Sequence, residues 1–342
     1  MDSNRLRIGV IGCGRISVMH FSATQSLKDK ATLICCCDIK KDRADAFAKK
    51  YDVKAYYDYK QMLDEEQLDA VHVLLPHYLH VPVALYAFEK GVAVLSEKPM
   101  SVDYESAKKT VDLAKEKGVL YGVILQCRYN NSAQLVKKAY QNGKLGKIIS
   151  ARSTLTWARP DSYYLESDWK GTWDKEGGGV VIDQAIHSID LVNWIVDSPV
   201  KSVSCSMANR GHDIVKVEDS AEGLIVYENG VKYGFYCMNN YGCDEPIEIK
   251  LYCENAKVVF DYDDAYIYYN DGTKEEAHQS SNVETVEGGK DYWGFQHVRQ
   301  IEQFYNACLK KEPLDISGEE ALKTHKLVCD IYKCGKPTMN NK

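Results

Sequence analysis

Arg7-Ile8-Gly9-Val10-Ile11-Gly12-Cys13-Gly14-Arg15-Ile16-Ser17 is a β-rich run that breaks into a glycine turn and then into a helix-compatible segment ending near Leu27. Strand, tight turn and helix in this order predict a dinucleotide-binding unit. Gly12 supplies the turn, and Gly14 lets the backbone approach a pyrophosphate. The helix opening at Arg15 and Ile16 presents its positive end to that anion. Ser17 stands where a third Gly or Ala is expected, and it is small enough to keep the helix close to the strand. A second apolar run, Ala31 to Cys37, ends at Asp38, at the distance expected of the acidic residue that accepts the ribose hydroxyls. Its charge repels a 2′-phosphate, so NAD is expected over NADP, although Lys40 and Lys41 soften the preference. A helix cap or turn residue is the other reading of Asp38.

Working outward, the unit repeats. Val53 to Tyr56, Ala70 to Leu75, Val92 to Ser96 and Val119 to Leu125 read as further strands, alternating with helices near 41–50, 79–90 and 103–117. Such alternation predicts a doubly wound parallel sheet covered on both faces, an α/β Rossmann domain over residues 1–125. Ligands of open α/β sheets collect at the carboxyl ends of the strands. There the chain places Pro76, His77 and His80 after one strand and Glu97-Lys98-Pro99 after the next. Pro99 biases Lys98 towards an extended conformation, which ends the strand and directs the ammonium into the crevice. Glu97 could neutralise Lys98, and each histidine could equally be a cap or a packing residue.

With 342 residues, two domains are expected. The formal net charge is −6, and no block of like charge stands out, so neither nucleic acid nor a membrane surface is an expected partner. The start of the chain leads straight into a strand, without a signal-peptide pattern, and no apolar run is long enough for a membrane span. A cytoplasmic protein is expected. The 12 cysteines lie in strand-like or helix-like runs without a zinc-like spacing, so reduced thiols and no metal are expected.

Residues 126–342 read as an α+β domain for substrate binding and oligomerisation. Ser132 to Gln141 is helix-like and Lys147 to Trp157 strand-like; an irregular segment then carries Arg159, Tyr163, Asp168, Trp169, Lys170 and Trp173. Aromatic faces with charged neighbours suit a sugar ring, and they equally suit a subunit interface. Gly177-Gly178-Gly179 then opens a helix over 180–196. On a regular helix, Asp183, His187, Asp190 and Trp194 share one face, and the glycines would let a ligand approach its entrance. Six further strand-like runs follow between Lys201 and Tyr269, with turns at Glu228-Asn229-Gly230 and Asn270-Asp271-Gly272, predicting a large, mostly antiparallel open sheet. A helix opening near Tyr292 runs to Lys310. The last helix, from Gly318 to about Tyr332, is expected to pack towards the first domain.

Taken together, Gly12-Cys13-Gly14-Arg15-Ile16, Glu97-Lys98-Pro99, Gln126-Cys127-Arg128-Tyr129-Asn130 and the glycine run with Asp183 and His187 resemble the Gfo/Idh/MocA oxidoreductases. The resemblance covers essentially the whole chain. It implies a catalytic trio of Lys98, Asp183 and His187, with the nicotinamide lying between the two domains, and substrate contacts from Arg128, Arg159, Tyr163, Trp173, Asp183 and His187. It further implies hydride transfer between nicotinamide and a secondary hydroxyl of a cyclic polyol, sugar or glycoside, in a homodimer or homotetramer joined through the second sheet. His187 is the natural base because its ordinary pKa lies near neutrality. Lys98 is the alternative proton acceptor. An enzyme with tightly bound, recycled NAD and a non-catalytic sugar or dinucleotide sensor are the competing readings.

Overall fold

A computed structural model describes residues 5–278, 296–310 and 312–336. In the first part of the chain, β1 (Leu6–Ile11), β2 (Ala31–Cys37), β3 (Lys54–Tyr56), β4 (Ala70–Val73), β5 (Ala93–Ser96) and β6 (Tyr121–Val123) alternate with helices. These are α1 (Ser17–Ser26), α2 (Lys41–Tyr51), α3 (Tyr59–Glu65), α4 (His77–Glu89) and α5 (Tyr104–Lys117). The strands form one parallel sheet in the order β3-β2-β1-β4-β5-β6. β1 is central, and its Ile8, Val10 and Ile11 are buried, as a strand covered on both faces requires.

The second part begins with α6 (Asn131–Gln141), β7 (Ile148–Thr156) and the short α7 (Asp161–Leu165). A π-helical turn over Val181–Ala185 then runs directly into α8 (Ile186–Val196). Next come β8 (Val200–Ala208), β9 (Ser220–Tyr227), β10 (Lys232–Met238), β11 (Glu248–Cys253), β12 (Ala256–Asp261), β13 (Asp264–Tyr269) and β14 (Lys274–Ala277). Together with β7 they form an eight-stranded sheet in the order β14-β13-β12-β11-β7-β10-β9-β8. Every pair is antiparallel except β7 with β10, which run parallel. Alternation along β10 buries Tyr233, Phe235 and Cys237 on one face and leaves Lys232 and Tyr236 on the other.

The chain closes with α9 (His297–Lys310) and α10 (Gly318–Gly335); Tyr292, where the sequence predicts the helix to open, lies outside the described residues. The chain divides into two compact units. One holds the described residues up to Gln126 and from 296 to Lys323; the other holds Cys127 to 278 and the residues from Thr324 onwards. The helix that completes the first unit's core is α9, whose Ile301, Phe304 and Tyr305 join Ile8, Val10, Ala23 and Leu33 in one cluster. From Thr324, α10 belongs to the second unit, where the Tyr332 hydroxyl donates to Glu218 at 2.6 Å. That buried hydrogen bond anchors the end of the last helix within the second unit.

Candidate active site

The glycine turn after β1 is built for backbone approach. Gly12 has φ +104°, and a Cβ there would lie 2.2 Å from the Leu74 carbonyl oxygen, so only glycine fits. A Cβ at Gly14 would meet nothing within 4 Å, which leaves open backbone beside the start of α1. Arg15 is exposed there, and Ile16 is the N-cap of the helix. The Asp38 carboxylate accepts from Cys13 N at 2.9 Å and from Lys40 N at 2.8 Å, so it braces the turn at the same level. An open glycine, a bare helix N-terminus and a carboxylate at the neighbouring strand end fit a dinucleotide.

At the ends of the next two strands the polar groups are locked in place. Pro76 is the N-cap of α4. His77 and His80 are both buried, and the His80 ring bridges the strand ends, with Nδ1 2.6 Å from Pro99 O and Nε2 2.8 Å from Leu75 O. Both of its nitrogens therefore hold backbone. Burial lowers the His80 pKa, against the pull of the two carbonyls. Glu97 does not turn its carboxylate solely towards Lys98. Its Oε1 lies 3.1 Å from His20 Nε2 and 3.4 Å from His297 Nε2, and its Oε2 accepts from Lys98 N at 3.2 Å. Burial opposes the charged form, but the hydrogen bonds from His20 and His297 overcome it and hold the carboxyl well below its usual range. Lys98 itself is half-buried.

In the second unit Gly178 and Gly179 serve packing. A Cβ on Gly178 would lie 2.0 Å from the Tyr332 hydroxyl, and one on Gly179 would lie 1.9 Å from Glu218 O. The buried Glu218 carboxylate accepts from Gly179 N at 2.9 Å, Val181 N at 3.1 Å and Tyr332 OH at 2.6 Å, stapling the glycine run to α10. Burial nevertheless raises its pKa to about 7.

The π turn also divides the polar face expected of a regular helix. Each extra residue in a helical turn rotates what precedes it, and such turns gather at functional sites. Asp183 lies within the π turn, where its Oδ2 accepts from Tyr163 OH and Gln184 Nε2, both at 2.7 Å, with Lys170 Nζ 3.7 Å away. The Lys170 ammonium sits 3.5 Å from the Tyr163 ring centroid. Glu176 is buried nearby, and burial, then the Asp183 charge, pushes its carboxyl well above the usual range. His187 follows in the first turn of α8 and is 6% exposed.

Further along α8, Asp190 is paired with Arg128 through Nε at 2.8 Å and Nη2 at 2.6 Å, and it also accepts from Thr324 Oγ1 at 2.7 Å. The Arg128 guanidinium lies over the Trp194 ring, so Arg128, Asp190 and Trp194 brace the helix together. Arg159 pairs with Asp244 at 3.0 Å and lies between the Trp157 and Tyr163 rings. Trp173 stacks edge-on against Tyr332, under the ammonium of Lys336. Of the residues expected to meet a sugar, Tyr163 and Asp183 are thus in direct contact, while Arg128 and Trp173 hold the surrounding structure.

Residues 6–125 match the family model described as the oxidoreductase family, NAD-binding Rossmann fold, and residues 133–259 match the GFO/IDH/MocA C-terminal domain. This chain belongs to the Gfo/Idh/MocA oxidoreductases. It is 30% identical over 247 residues to the D-glucoside 3-dehydrogenase of Escherichia coli K12, a match covering 67% of this chain and 69% of that protein. It is 26% identical over 203 residues to the scyllo-inositol 2-dehydrogenase (NAD(+)) of Bacillus subtilis 168, covering 59% of this chain and 57% of that one. Among solved structures, the WlbA dehydrogenase of Bordetella pertussis, in complex with NADH and UDP-GlcNAcA, superposes with a TM-score of 0.85 at 27% identity, covering 97% of each chain. The first unit is therefore an NAD-binding Rossmann domain. For a Gfo/Idh/MocA chain, the contacts that sequence reasoning misses are informative. Lys170 enters the sequence only as part of a sugar-like composition, and Glu218 and Tyr332 stand in no motif at all. Their convergence on the π turn depends on long-range packing, for which the sequence carries no local signal.

Proposed function

We propose that this protein is an NAD-dependent dehydrogenase of a cyclic polyol, sugar or glycoside, acting on a secondary hydroxyl. The observation that carries the reading is Asp183, on the π turn that leads into His187, hydrogen-bonded by Tyr163 and ion-paired with Lys170, in a chain of a nicotinamide-dependent family. Gly12, Gly14 and the start of α1 would hold the pyrophosphate and Asp38 the adenosine ribose. Bound NAD would serve as hydride acceptor for the substrate carbon. His187 takes the hydroxyl proton as general base, and Lys98 donates a hydrogen bond to the reacting oxygen and stabilises its developing charge. Asp183 and Lys170 form a paired acceptor and donor for neighbouring ring hydroxyls, with the Tyr163 ring beside them.

His187→Ala is expected to lower kcat/KM by about a hundredfold to ten-thousandfold in a cofactor-reduction assay over inositols, free hexoses and glycosides. Turnover within a few-fold of the parent would overturn the assignment. We further propose a homo-oligomer joined through the open face of the eight-stranded sheet, where Leu224 and Tyr236 are 42% and 38% exposed. A cytoplasmic setting is the reading supported by cysteines packed as buried core residues, such as Cys35, Cys36 and Cys37 on β2. No helix among the described residues is long and apolar enough to cross a membrane.

A further inference from the structure

Behind Glu97 lies a continuous buried chain of polar groups. Thr24 Oγ1 is 2.8 Å from His20 O and 2.8 Å from Tyr305 OH. Tyr305 OH is 3.2 Å from His72 Nε2, His72 Nδ1 is 3.0 Å from His20 Nδ1, and His20 Nε2 is 3.1 Å from Glu97 Oε1. All five side chains are buried, Thr24, His20, His72 and Tyr305 almost completely, so water does not supply missing partners. Each contact is of hydrogen-bond length and needs one proton between its two heavy atoms.

Five contacts therefore need five protons, while two hydroxyls and two neutral imidazoles carry four. A single proton direction satisfies the whole chain. Thr24 donates to the His20 carbonyl, Tyr305 to Thr24, His72 Nε2 to Tyr305, His20 Nδ1 to His72, and His20 Nε2 to the Glu97 carboxylate. His20 then carries a proton on both nitrogens. The fifth proton could in principle sit on Glu97 or His72 instead. However, Glu97 also faces His297 and accepts from Lys98 N, contacts that favour its ionised form. His72 faces no carboxylate as closely as His20 does, and burial drives its pKa well below the usual range, with the charge at His20 adding to this.

We infer that His20 is a buried imidazolium counter-ion to Glu97, held by the Thr24–Tyr305–His72 chain, and that it is a positioning residue for Lys98. With Glu97 neutralised from behind, its Oε2 stays on the Lys98 amide and the Lys98 ammonium is not drawn back towards it. Every group in this assembly belongs to the first unit. The role given to Lys98 rests on the proposed dehydrogenase reaction, whereas the proton count itself can be read without turnover.

The test uses the full chain labelled with 15N in histidine, with ring protonation read by two-bond proton–nitrogen correlation NMR at about pH 8, well above the ordinary histidine pKa of about 6.5. The expected result is an imidazolium signature that disappears in His20→Gln. It should also disappear in Thr24→Val and in Tyr305→Phe, because each of these substitutions leaves three contacts for the three protons that neutral groups supply. His212, which contacts Asp219 and Arg159 O in the other unit, provides a signal that all three variants should retain. In the same proteins, His20→Gln is expected to lower kcat on the order of tenfold to a hundredfold with the sugar KM nearly unchanged. Neutral His20 and His72 in the parent, persistence in both Thr24→Val and Tyr305→Phe of the imidazolium signal that His20→Gln removes, or stoichiometric zinc on His20, Glu97 and His297 would each overturn the inference. Intact NMR signatures with an inactive parent would instead count against the proposed reaction.

Discussion

Burial lifts the Glu218 carboxyl to about 7, whereas in the unfolded chain it titrates near 4.5, so the folded protein favours its protonated form. Folding therefore takes up a proton between those values. This group's contribution to stability is largest at and below about pH 4.5, falls as the pH rises to about 7, and is level above that. The loss is on the order of 3 kcal/mol, since a tenfold change in proton affinity is worth about 1.4 kcal/mol. Glu218→Gln keeps an acceptor for the amides of Gly179 and Val181 without the charge. It is expected to flatten this fall, with a higher Tm than the parent at neutral pH and little difference near pH 5. Thermal unfolding of both proteins across that range checks it, and parallel pH profiles would rule it out. Asp38, Lys98, Asp183 and His187 are legible in the sequence because each follows a strand or glycine signal within a few residues. Glu218 is not, because what sets its pKa is enclosure by α10 and the glycine run, which come together only in the fold.

At the scale of elements, the two glycines after β1 differ in what they do. Gly12 is fixed by the backbone, with its positive φ and the Leu74 carbonyl in the space of a Cβ, whereas Gly14 borders open space. Gly12→Ala is expected to cost about 1–3 kcal/mol or more of stability. Gly14→Ala should leave the Tm within a degree or two and raise the Kd for NAD several-fold. Thermal unfolding and calorimetric titration of the two variants separate these outcomes, and equal Tm losses would refute the distinction. The sheet order and the helices of the first unit follow from the alternation of apolar runs. The π turn at Val181–Ala185 does not, because one added residue leaves hydrophobic periodicity almost unchanged while rotating Asp183 away from the line of Asp190 and Trp194. Likewise, the parallel pairing of β7 with β10 depends on which strands meet across the sheet, and a run of strand-like segments does not state that.

On the scale of the molecule, the eight-stranded sheet keeps one face in the core and presents on the other a row in which Leu224 on β9 pairs with Gly234 on β10, beside Arg152 on β7 and Lys250 on β11. Tyr236, Tyr252 and Tyr268 stand on the same sheet, each more than a third exposed. Interfaces are enriched in such aromatic residues and in arginine. If copies of the chain meet here, Leu224→Glu combined with Tyr236→Glu should convert the oligomer to monomer in light scattering after gel filtration, with the circular dichroism spectrum unchanged. An unaltered mass would place the interface elsewhere. The two-part organisation is readable from composition and motif order, whereas the assignment of α9 to the first core is not, because its partners lie some 280 residues earlier in the chain, as between Thr24 and Tyr305.

That long return has a consequence for synthesis. The apolar cluster of β1, β2 and α1 closes only when Ile301, Phe304 and Tyr305 arrive. During translation the nucleotide-binding unit must therefore wait, with apolar surface uncovered, until Tyr305 has left the ribosome. The eight-stranded sheet emerges and can pair strand by strand in the meantime. Interrupted synthesis would release a product whose first-made portion is its least finished, which makes truncated chains of this protein natural clients for chaperones.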